Sequence, residues 1–125
     1  MPVAKPAYTA AFARSQLAKV RRFCLALPDV TERPSHGAPT FFAKNKRSFA
    51  NFVDNHHGDG RLAVIVAAAP GAQEMLVDAK PDIYYLPAYV ARLGWVGVRL
   101  DRDAAWTEIE AMLEAAHTHV ATKKR

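Results

Sequence analysis

The 125-residue chain has a single cysteine, Cys24, so it can form neither an internal disulfide nor a cysteine-cluster metal site. No apolar run approaches the ~20 residues of a membrane span, and the first residues lack the basic segment and apolar stretch of a secretory signal. These absences point to a reducing compartment, read as cytoplasmic, with no membrane partner. Carboxylates are also missing from the first 28 residues. Up to Arg47, nine cations (Lys5, Arg14, Lys19, Arg21, Arg22, Arg33, Lys44, Lys46 and Arg47) meet only Asp29 and Glu32. Between Ser48 and Thr122 the sign reverses, with ten carboxylates against Arg61, Lys80, Arg92, Arg99 and Arg102, and the chain closes on Lys123-Lys124-Arg125. The net charge of +5 therefore hides a basic first third and a basic tail, either a polyanion-binding face or a solvated surface that keeps the protein soluble.

What is present is an ordinary globular composition, 50% apolar and 23% charged, at a length suited to one core. The sequence predicts a single domain over 1–125, loose at 1–7 and 122–125, and a monomer. Ala13, Leu17, Val20, Cys24 and Leu27 recur at spacings of four and three, which predicts an amphipathic helix from Thr9 to Leu27, ended by Pro28. On that stripe Cys24 reads as a buried, inert thiol. After a proline- and glycine-rich connection, Thr40–Lys44 and Ser48–Val53 read as a hairpin with the basic tip Asn45-Lys46-Arg47, Asn45 being the residue suited to a positive φ. The hydrophilic reversal 55–60 leads to Leu62–Ala67, an apolar run of central-strand length.

Pro70 and Gly71 open a short helix over Ala72–Asp78, and Ile83–Leu86 reads as extended. Trp95–Leu100 alternates as a strand with one buried face. A last helix, capped by Asp101 or Asp103, presents Trp106, Ile109, Leu113, Ala116 and Val120 to the core. The order α, β, β, β, short α, β, β, α predicts an α+β fold, an antiparallel sheet of about five strands with N- and C-terminal helices packed on it.

Six pieces in a fixed order carry a resemblance: Cys24-Leu25-Ala26-Leu27-Pro28, Ser35-His36-Gly37-Ala38-Pro39-Thr40-Phe41, Asn55-His56-His57-Gly58-Asp59-Gly60, Pro70-Gly71-Ala72-Gln73-Glu74, Tyr89-Val90 and Gly94-Trp95-Val96-Gly97-Val98. Together they resemble the MmcQ/YjbR family. The resemblance implies a frataxin-like fold, also described as a double-wing DNA-binding fold, in a family of mostly unknown function with proposed DNA binding. Relatives often carry glycine in the turn that here reads Lys44-Asn45-Lys46-Arg47. An iron role, which a frataxin-like fold also suggests, would need oxygen ligands along the first helix. That helix carries Arg14, Lys19, Arg21 and Arg22 instead.

The first functional reading is weak, electrostatic binding of double-stranded DNA by Arg14, Lys19, Arg21, Arg22, Lys44, Lys46 and Arg47, with the hairpin as a wing; no row of base-reading side chains is visible. The second is a pocket for a small anionic ligand in which His36, Tyr85, Tyr89, Arg92 and Trp95 converge, the guanidinium supplying a planar fork and the rings a stacking surface, as against aromatics that merely pack the sheet. Neither catalysis nor metal binding is expected. Ser35 and His36 are neighbours without a strand-to-helix elbow, and His56 and His57 would point to opposite sides of an extended segment beside Asp54 and Asp59. The sequence therefore predicts a non-enzymatic protein without a cofactor.

Overall fold

A computed structural model describes residues 6–123. Thr9 caps the first helix, α1 (Ala10–Leu25), by accepting the Phe12 N–H on Oγ1, which satisfies one of the donors a helix start leaves open. The stripe is buried as its spacing requires, with Gln16 added to Ala13, Val20 and Cys24 and with Leu17 and Leu27 partly covered. Of the ends expected to be loose, residues 1–5 and the last two cations, Lys124 and Arg125, lie outside the described residues.

The segment expected to be a connection contains a strand. β1 (Thr31–Ser35) pairs with β2 (Ala38–Phe42) through the two-residue loop His36-Gly37, both residues at positive φ, 52° and 78°. That is the I′ geometry whose twist matches a hairpin. With Pro34 opposite Pro39, β1 forms the sheet edge, where missing N–H donors are tolerated. β3 (Ser48–Asp54) and β4 (Leu62–Val66) continue the meander. β5 (Tyr84–Tyr85) and β6 (Val96–Arg99) close the sheet in the order β1-β2-β3-β4-β6-β5, antiparallel throughout. The sheet thus has six strands, one more than expected, in the predicted α+β arrangement.

α2 (Ala72–Ala79) and α3 (Trp106–Ala121) complete the chain. The expected acidic cap of α3 is not used. Asp101 accepts two hydrogen bonds from Arg99, Asp103 takes a left-handed conformation at φ 45°, and the helix begins after Ala105 with no side-chain cap. The guanidinium holds Asp101 back at the end of β6, five residues short of the first turn. Gly71, at φ 87°, occupies the N-cap of α2, so Pro70 precedes the helix instead of entering its first turn.

β4 divides the core. Leu62, Val64 and Val66 face α1 and α3 together with Phe41, Phe52, Val96 and Val98, while Ala63 and Ile65 face the other side beside Val53. α1 and α3 run in the same direction. Lys19 of α1 lies over Trp106 at the start of α3, and Pro28, just past α1, accepts a hydrogen bond from His117 near the end of α3. Because Pro28 offers a carbonyl, His117 Nε2 must carry the proton. On the opposite face no α-helix lies against the sheet among the described residues. The loop between β5 and β6 partly covers it through Val90, and Gln73 holds that loop by donating to the Ala91 and Trp95 carbonyls at 2.8 and 2.6 Å. Among the described residues, no helix is long and apolar enough to cross a membrane.

Candidate functional site

Two regions concentrate unusual chemistry, and the first is the basic end of the molecule. Between β2 and β3 the chain reverses through Lys44-Asn45-Lys46-Arg47, where Lys46, not Asn45, takes the positive φ of 66°. Asn45 serves differently. Its Oδ1 accepts the Arg47 N–H at 3.1 Å and its Nδ2 donates to the carbonyls of Val120 (3.0 Å) and Lys123 (3.4 Å). The amide thus fastens the hairpin tip to the C-terminus of α3, whose last carbonyls lack helical donors.

This tie places Lys44, Lys46 and Arg47 beside Lys123. Arg22, in the last turn of α1, is not part of this group, since Lys19 one turn before it lies over Trp106 at the start of α3, the opposite end of that helix from Lys123. Arg22, Lys44, Lys46 and Lys123 are exposed and form no ion pair among the described residues. Three carboxylates of the later half pair with cations of that same half, Asp59 with Arg61, Glu108 with Lys80 and Asp101 with Arg99. The other predicted phosphate contacts are placed elsewhere. Arg21 donates twice to Glu32 of β1, at 2.7 and 2.6 Å, which holds its guanidinium above its usual pKa. Lys19 stands 5.6 Å over the Trp106 ring, and Arg14 lies two turns before Arg22, about 12 Å along the helix.

The five residues expected to converge on an anion are divided among three surfaces. Trp95 shares a concavity of about 410 Å³ with Arg47, His119 and Lys123 at the basic end. Arg92 lines the adjoining one, of about 390 Å³, which also reaches His119 and Lys123. Tyr85 is packed. Its ring lies over Gly97, its partner across β5 and β6, with the Arg61 guanidinium 4.1 Å above it. The division follows from register, since Tyr85 and Gly97 sit in the sheet while the loop that follows carries Arg92 past its end.

His36 and Tyr89 do meet, in the second region, a cleft of about 440 Å³ over the sheet face without a helix. Its floor is Ala38, Asn51, Val53 and Ile65 from β2, β3 and β4, its walls are Ser35 and His36 on one side and His56 and His57 on another, and Ala88, Tyr89 and Val90 lean over it. The His56 and His57 rings stack at 4.0 Å, and Tyr89 meets His57 edge-on at 5.7 Å. Burial and the neighbouring imidazole push the His56 pKa down. Asn51 is oriented by a short chain. Thr40 Oγ1 gives its proton to the Ala38 carbonyl, so it must accept from Asn51 Nδ2 at 2.7 Å, which fixes the amide and leaves Oδ1 without a protein donor among the described residues.

Backbone strain gathers at the same place. Of the seven described non-glycine residues at positive φ, His36, His57 and Tyr89 line the cleft and Asn55 adjoins it. Side chains with a Cβ resist that conformation, and such strain concentrates at binding and switch regions. Sequence reasoning found His36 and Tyr89 but missed Asn51, Ser35 and the His56-His57 wall as partners. Only the alternation in β3, which puts Asn51 on the same face as Val53, hinted at one of them.

A family model, YjbR, matches residues 25–119. The chain belongs to the YjbR family. Its fold is similar to the crystal structure of the Deinococcus radiodurans protein DR2400, which carries the family domain DUF419, with a TM-score of 0.74 at 20% identity over 86% of this chain and 79% of that one. No curated protein matches the chain. The YjbR match begins at Leu25 and ends at His119, so it takes in both regions except the rest of α1 before them and Val120 to Lys123 at the basic end.

Proposed function

We propose that this YjbR protein is a non-enzymatic binder of double-stranded DNA, weak and mostly electrostatic, that uses its basic end. The observation that carries the reading is the Asn45 tie, because it turns two cationic segments far apart in sequence into one surface of Lys44, Lys46, Arg47 and Lys123. Lysine and arginine gain affinity for duplex DNA by releasing condensed counterions, a term indifferent to base sequence. A protruding two-stranded tip suits contact with a backbone beside a groove.

Fluorescence anisotropy with a labelled duplex tests this. If three or four phosphates are neutralised, affinity should fall roughly 40- to 150-fold between 50 and 200 mM salt. Reversing Lys44, Lys46 and Arg47 together to glutamate should abolish binding, whereas Arg14→Glu should change it less than threefold. Unchanged binding in the triple variant would refute the wing.

A second reading is favoured by the concavity that sets Trp95 among Arg47, His119 and Lys123, with Arg92 beside it. It is a site for a small anionic ligand. A thermal-shift screen of anionic metabolites tests it, since a ligand that binds only the native state raises the melting temperature. The shift should disappear in Arg92→Ala; a screen with no such hit counts against the site.

A further inference from the structure

The cleft over the uncovered sheet face is far from a polyanion surface in character, since no lysine or arginine lines it among the described residues. Its floor is flat and apolar, built from Ala38, Val53 and Ile65 on adjacent strands, and in the middle of that floor stands one oriented acceptor, Asn51 Oδ1. Aromatic rings form the rim. Flat walls set around one directional polar group match a flat ligand that carries a hydrogen-bond donor on its edge.

We propose that this cleft binds an uncharged, planar nitrogen heterocycle of nucleobase size, laid on the strand floor, donating a ring or exocyclic N–H to Asn51 Oδ1 and held at its edge by Tyr89 and His57.

Three alternatives fit the same residues less well. A strong anion would find no lysine or arginine among the described lining residues, and burial and the neighbouring imidazole disfavour a charge on His56. A metal ion would need converging ligands, but the His56 and His57 rings stack nearly parallel, 27° apart, and the described residues contain no group of three His, Cys, Asp or Glu placed to hold one. An acyl chain would desolvate the Asn51 carbonyl and give nothing back, which is costly for a polar group. The volume of about 440 Å³ falls within the range of small-molecule sites and is generous for a one- or two-ring molecule. The strained residues fit too. His36, His57 and Tyr89 each hold a side chain at positive φ around the cleft, a conformation that a bound ligand helps to compensate.

The test is a ligand titration followed by amide chemical shifts of the full chain, using adenine, hypoxanthine and uracil as neutral probes, benzofuran as a planar control without an N–H donor, and orotate as the carboxylate counterpart of uracil. At least one of the three nitrogen bases should shift Asn51, His57 and Tyr89 amides saturably, and uracil should bind more tightly than orotate. Tyr89→Ala, which removes a ring that is 75% exposed and so spares the fold, should weaken that probe by about 5- to 160-fold, the span of base contact with an aromatic side chain. Asn51→Ala should weaken the bases but leave any binding of benzofuran, which has no N–H to donate, unchanged. The proposal is overturned if none of the bases shifts these amides, if orotate outbinds uracil, or if neither variant weakens a base that binds the wild-type protein.

Discussion

Gly97→Ala should destabilise the protein although alanine is the better strand residue. The backbone at Gly97 is ordinary, since it is not among the glycines at positive φ, so on conformational grounds a methyl group would help by about 0.5 kcal/mol. Space decides the opposite. A Cβ there would stand 2.3 Å from Cε1, 2.4 Å from Cζ and 2.8 Å from Cδ1 of Tyr85, against about 3.5 to 4.0 Å for carbon atoms in contact. The ring would have to rise by more than an ångström, and Arg61 lies above it at 4.1 Å. Overpacking of this size costs about 1 to 3 kcal/mol, so we expect a net loss near 2 kcal/mol. Tyr85→Ala should cost a similar amount through lost contact with the Val53, Ala63 and Ile65 cluster. The double variant should then be no less stable than Tyr85→Ala alone, because the methyl meets no ring. Urea denaturation of the four proteins measures the coupling, expected near 2 kcal/mol. A spectrophotometric titration adds an independent signature. Burial pushes the Tyr85 phenol up to about 12, and lifting the ring toward solvent in Gly97→Ala should bring it back toward its ordinary value. Additive stabilities, within about 0.5 kcal/mol, would refute the packing role assigned to Tyr85 and reopen it as a ligand contact.

Two further outcomes are expected. Cys24 is fully buried and its thiol is pushed up to about 12, chiefly by burial, so at pH 8 a disulfide reagent should label the native protein only through unfolding and the urea-unfolded protein at once. Immediate labelling of the native protein would contradict the α1 packing. Lys80, Tyr84 and Glu108 form a linked group in which hydrogen bonds from the ammonium and then the phenol hold the Glu108 carboxyl below its ordinary range. A depressed folded-state value means that this contribution is present above the unfolded carboxylate pKa and is lost as pH falls through the folded one. Glu108→Gln should therefore show a shallower loss of stability below about pH 4.5 than the wild type, read by thermal melts across pH; a parallel acid limb would refute the linkage.

The strongly periodic elements were legible because burial needs only one face and periodicity reports it. The α1 stripe through Ala13, Val20 and Cys24, the all-buried β4 run and the α3 face of Ile109, Leu113 and Val120 all stand where their spacing places them. β1 escaped for the converse reason. Thr31-Glu32-Arg33-Pro34-Ser35 is a polar edge strand with little to bury, and its hairpin depends on His36 adopting a positive φ that propensity would assign to asparagine or glycine. The start of α3 was misplaced because a local carboxylate reads as a cap until a guanidinium claims it, as Arg99 does with Asp101. At the tip the same competition moved the positive φ from Asn45 to Lys46, because the Asn45 amide is drawn to the end of α3.

By itself the amino-acid sequence determined the α+β class, the family, the two helices of the core and the segregation of charge into a basic first third and tail. Those properties are local or additive: a stripe, an alternation or a charge count needs no knowledge of what lies opposite. Only the tertiary structure decided which cations share a surface and which side chains share a cleft. Arg21 was withdrawn by Glu32, Lys123 was brought to the hairpin by Asn45, and Ser35, Asn51, His57 and Tyr89 were assembled from four segments up to 54 residues apart. Strand register and loop docking set such meetings, and both are properties of the whole chain.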